Sequence, residues 1–98
     1  MSDSRMHYKS NELRQKASDM RTILGAYKAD LDNLKATSVK ITNSWHSNAS
    51  ETYAKNFGRR VSGLDESIVR TEEAIQIIER VADNIDAAES RALAIANE

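Results

Sequence analysis

Thr42-Asn43-Ser44-Trp45-His46-Ser47-Asn48 decides the fold of this 98-residue chain. Two long helical patterns break only here, and the stretch holds the single tryptophan. Neither glycine nor proline makes the break. Asn43, Ser44, Ser47 and Asn48 instead carry short polar side chains that bond nearby backbone groups and so compete with the helix. The turn is placed at 43–48. Asn48 followed by Glu51 has the spacing of a capping box, so a second helix is expected to open at Asn48 or Ala49.

Upstream of the turn, apolar residues recur in alternating steps of four and three. They run Leu13, Ala17, Met20, Leu24, Tyr27, Leu31, Leu34, Ser38, Ile41, and only Ser38 is polar. That spacing predicts a first helix over about 11–42, capped by Ser10 with Glu12 in its first turn. Residues 1–9 read as a flexible arm. Downstream the pattern is Tyr53, Phe57, Val61, Leu64, Ile68, Thr71, Ile75, Ile78, Ala82, Ile85, Glu89, Ala92, Ala96, which predicts a second helix over about 48–96. The fold class is therefore all-α: one domain, an antiparallel helix–turn–helix hairpin.

Folding the two helices back about position 46 pairs residues whose numbers add to about 92, apolar with apolar nearly throughout. Gly25 then falls near Gly63 and Ser67, either as a close approach of two backbones or as an incidental surface glycine. Trp45 extends the first stripe, as a plug for the end of the hairpin or as a docking ring for a partner. If it is a buried plug, Trp45→Ala costs about 3–5 kcal/mol. The same register leaves the last eighteen residues without a helix opposite. Val81, Ile85, Ala88, Ala92 and Ile95 continue an apolar face there, and Val69 and Ile77 also lie outside the stripe. These seven residues are the expected partner-binding set, most simply satisfied by a second hairpin in a four-helix dimer; a frayed, disordered tail is the alternative.

Composition narrows the function classes. No cysteine is present, which excludes a disulfide framework and thiolate metal sites. A formal net charge of −1 gives no electrostatic case for nucleic acid or an acidic membrane. The first ten residues are polar, so no secretory signal peptide is expected. No apolar run approaches the ~20 residues that span a bilayer. The two histidines, His7 and His46, share no ligand spacing with other side chains, and no phosphate loop or nucleophile motif occurs. No enzyme activity, cofactor or metal is expected.

A hairpin of this length with tryptophan in its turn resembles the WXG100 (ESAT-6-like) family. The turn motif is Trp45, His46, Ser47, with Ala49, Tyr53 and Phe57 following at fitting distances and Ser10-Asn11-Glu12-Leu13 similar to the opening of the family's first helix. Ser47 stands where the family has glycine. No tyrosine follows Tyr53, so the Tyr-x-x-x-Asp/Glu export signal is missing from its usual place; Tyr8 and Glu12 have that spacing at the other end. The resemblance implies a small non-enzymatic protein of a type VII (ESX-like) secretion system. It would be exported as a homodimer or heterodimer, or would act as targeting partner of a larger effector. It would be secreted without a cleaved signal peptide, or cytoplasmic before export. Two other readings stand beside it: an intracellular coiled-coil adaptor unrelated to secretion, and a small metal- or ligand-binding helical bundle.

Overall fold

The computed structural model describes the backbone of residues 2–97 and the side chains of residues 8–97. The chain is an all-α hairpin of two helices, α1 (Ser2–Ser44) and α2 (Asn48–Ala96). No strand occurs among the described residues. The body of both helices falls where periodicity places it, and the link between them is 45–47 where 43–48 is expected, because α1 continues to Ser44 and α2 opens at Asn48.

The first boundary needs correction. The segment 1–9, expected to be a flexible arm, is helical from Ser2 onward, and Met1 lies outside the described residues. No glycine or proline interrupts the run from Ser2 to Ser10, and extending a formed helix costs far less than nucleating one. Ser10 is consequently an interior helical residue and not a cap. It is fully buried, and its hydroxyl donates to Asp86 Oδ1 at 2.6 Å.

Contacts divide the chain into two compact units. One is Ile23–Thr71, which contains the turn; the other joins the segment ending at Thr22 to the segment beginning at Glu72. In each unit the two helices run side by side. The turn unit buries Leu24, Leu31 and Ser38 of α1 with Ile68 and Ser50 of α2. The other unit buries Ser10 and Ala17 of α1 with Ile75 and Ala82 of α2, and among the described residues Ile75 is its one large fully buried side chain. Such thin cores leave little margin of stability.

Burial follows one row of α1, not the two that periodicity predicts. Ser10, Ala17, Leu24, Leu31 and Ser38, each seven residues apart, are buried. Of the row three positions on, Leu13 and Met20 are half-buried, and Tyr27, Leu34 and Ile41 are 41%, 48% and 41% exposed. Between two helices, one row per helix points straight at the neighbour. The row beside it looks sideways and needs a further neighbour to be covered.

The register is also corrected. Ser10 meets Asp86, and Arg14–Asp86, Arg21–Glu79 and Lys35–Asp65 are ion pairs whose residue numbers each add to 100, against the expected 92. Long cationic side chains reach along the helix, and residues 47–50 are engaged in the cap of α2, so pairing begins about one turn later. The overhang shrinks accordingly. Ala82 is fully buried and Asp86 is bonded to α1, so residues 81–86 do not project free. Apart from the chain neighbours and the helix's own backbone, no described atom lies within 4 Å of where a Cβ would sit on Gly25, Gly58 or Gly63, so Gly25 is a surface glycine and not a point of close approach.

Candidate interaction surfaces at the turn and along the helix flanks

The turn is built by serines. α1 ends as the Ser44 hydroxyl donates back to the carbonyls of Lys40 and Ile41, at 3.1 and 3.2 Å. Trp45, His46 and Ser47 then link the helices. The Ser47 hydroxyl accepts the Ser50 N–H at 3.2 Å, and the Ser50 hydroxyl accepts the Ser47 N–H at 3.0 Å. This reciprocal cap satisfies two backbone donors. The cap is therefore Ser47 with Ser50, one residue before the expected Asn48 with Glu51. Among the described residues no non-glycine residue has positive φ, so this turn does not need glycine at position 47. Glycine, without a side chain, could not make the cap.

Trp45 is 41% exposed. Its ring leans on Tyr53, with centroids 6.1 Å apart and planes at 47°, and Tyr53 in turn stacks on Phe57 at 5.9 Å and 25°. The three rings form a staircase along the turn end of α2. Trp45 is thus only half a plug, and its remaining surface faces solvent. Beneath the turn, an open polar recess of about 360 Å³ is lined by His46, Ser47, Asn48, Ser50 and Glu51 with Thr42 and Ala54.

Charge occupies one flank. Arg14, Arg21, Lys28 and Lys35 fall every seven residues on α1, and Asp65, Glu72, Glu79 and Asp86 every seven on α2. In the unit joining both chain ends, Arg14 bridges Asp83 at 3.0 Å and Asp86 at 2.5 Å, and Arg21 pairs with Glu79 at 2.5 Å. In the turn unit, Lys35 lies 3.3 Å from Asp65. Hydrogen bonds to Asp83 and then Asp86 raise the Arg14 pKa above the ordinary guanidinium value, and Glu79 does the same for Arg21. A raised folded pKa stabilises below the unfolded value and loses that contribution only as pH rises through the folded one. For arginine this window lies far above physiological pH, so Arg14 and Arg21 hold their charge throughout the ordinary range. Hydropathy alone misses these rows; the signal that finds them is like charge repeated at heptad spacing on each helix. Within α2, Glu66 and Arg70 pair one turn apart at 3.7 Å.

The opposite flank is apolar in both units. In the turn unit, Tyr27, Leu34 and Ile41 stand beside half-buried Phe57 and Leu64. In the other unit, half-buried Leu13 and Met20 are matched on α2 by half-buried Ile78 and Ile85. The expected partner-binding residues divide. Ile85 and Ala92 lie on this α2 flank, with exposed Val81, Ala88 and Ile95 one position round the helix from it. Val69 and Ile77, 52% and 55% exposed, point to other faces of α2 and do not join the set. Leu34 and Tyr27 belong to the apolar flank instead. Periodicity had assigned both to the intramolecular core.

Among the described residues, no group of three or more potential metal ligands comes together. No helix among them is long and apolar enough to cross a membrane. No family model, curated protein or solved structure matches the chain.

Proposed function

We propose that this chain is a binding protein of type VII secretion, a WXG100-like hairpin that is not an enzyme. It pairs with a second hairpin, its own copy or a related chain, and travels as a small substrate or as the targeting partner of a larger effector. The observation that carries this reading is the apolar flank beside a tryptophan turn. Tyr27, Leu34 and Ile41 are 41–48% exposed, while Lys35 and Asp65 pair on the opposite flank, so the turn unit presents an apolar side fit for another helix pair. The Ser47 cap supports it further, since it removes the need for glycine in the turn motif.

The test is export. The tagged chain is expressed in a bacterial host whose type VII system is intact or deleted, and the culture supernatant is assayed beside a cytosolic marker. The chain is expected outside the intact cells, free of the marker, and retained in the deletion strain. Retention in both strains, even with candidate partner hairpins co-expressed, would favour the intracellular coiled-coil adaptor, which uses the same flank without secretion.

A further inference from the structure

The charge of the chain is unevenly placed. Between Asn33 and Ser62 stand five cations (Lys35, Lys40, Lys55, Arg59 and Arg60) and a single anion, Glu51, although the whole chain carries −1. Lys35 is held near Asp65, but no salt bridge engages Lys40, Lys55, Arg59 or Arg60, and all four are exposed. Unpaired cations around one end create a local positive field that the net charge hides.

That same end carries an open groove between α1 and α2 of about 310 Å³. Val39 and Thr42 line it from α1, and Ala54, Phe57 and Val61 from α2, with Lys35 at its edge. Gly58 leaves the α2 wall open, with nothing within 4 Å of where its Cβ would sit. Val39 is 57% exposed at the lip, an apolar side chain with nothing over it. The volume is at the low end of binding pockets, ~300 Å³, and suits one or two inserted side chains. A flat lipid surface does not reach into a slot between helices, whereas a helix projecting side chains on one face does.

We propose that this groove is a docking site for an acidic amphipathic helix of another protein. The apolar face of that helix seats side chains between Val39 and Phe57, and its negative charge is drawn by the excess of cations at this end of the hairpin. The groove shares Phe57 with the apolar flank but does not depend on the secretion reading, and Val39, Lys55 and Arg59, whose variants test it, are not part of that flank.

Trp45, the only tryptophan, reports on the site through Tyr53 and Phe57. The probe is a synthetic peptide helix with leucine at i, i+3, i+4 and i+7, glutamate on its other face, and neither tryptophan nor tyrosine. The full chain is titrated with it at low and moderate salt, following Trp45 emission and the anisotropy of labelled peptide. We expect saturable binding of one peptide per chain, weakened about tenfold by the added salt. Val39→Asp and the double variant Lys55→Glu/Arg59→Glu should each weaken it about tenfold without loss of helical circular dichroism, since all three side chains are exposed. The same peptide with lysine for glutamate should not bind.

Absence of binding, or equal binding of the lysine peptide, would overturn the proposal. So would binding that survives both variants. Vesicles of phosphatidylserine and phosphatidylcholine that shift Trp45 where the peptide does not would give this end to a membrane instead. Concentration-dependent self-association abolished by these same variants would give the groove to a second copy.

Discussion

Ser47 and Trp45 sit two residues apart and do opposite things. Ser47 closes the turn from within, trading hydrogen bonds with Ser50, while Trp45 covers Tyr53 on one side and faces water on the other. With the ring 41% exposed, Trp45→Ala forfeits only part of a full burial and one aromatic contact. It should lower stability by about 1–2 kcal/mol, less than a buried plug would. A denaturant midpoint measured with an unchanged slope checks this. A loss above about 3 kcal/mol would mean the ring is covered in solution, as a partner would cover it. The position of Trp45 was legible in the sequence, because a lone aromatic in a helix break has few places to go. Its exposure was not, since that depends on the direction in which three turn residues carry it. Ser10 was misread for a related reason. A serine ahead of an amphipathic stretch has the look of a cap, and its long-range bond to Asp86 leaves no local signature.

For the helices, periodicity specified the pair and the site of the turn, but it overstated the core. The four-and-three pattern marks two rows on α1, and hydropathy cannot tell the row that faces α2 from the row that faces sideways. The charges could have made that distinction. Arg14, Arg21 and Lys35 flank the buried row on one side, and their pairing with Asp86, Glu79 and Asp65 fixes the register near 100. Glycine placement gives a prediction of its own. Gly25, Gly58 and Gly63 are helical with open space at Cβ. Replacing each with alanine should stabilise the hairpin by about 1 kcal/mol, read as a raised thermal midpoint. A lowered midpoint at Gly25 would restore the close approach of backbones that the sequence also allowed.

The molecule as a whole joins thin cores to a large exposed apolar surface. Among the described residues Ile75 is the one large apolar side chain fully buried, while Ile23 and Ile95 are each 69% exposed and Tyr27, Leu34 and Ile41 line a flank open to solvent. A single hairpin is a poor solution to that distribution, because cores this small barely offset the entropy of ordering two long helices. A second hairpin laid on the flank removes the exposed surface and deepens the core together. On this distribution of surface the chain should not fold stably alone. Light scattering of the purified chain at low micromolar concentration gives its solution mass, and a thermal melt beside it gives its cooperativity. We expect either a particle of two chains that melts cooperatively and that Leu34→Glu dissociates, or a poorly folded chain awaiting a different hairpin. A cooperatively melting monomer, unchanged by Leu34→Glu, would show that one hairpin is sufficient.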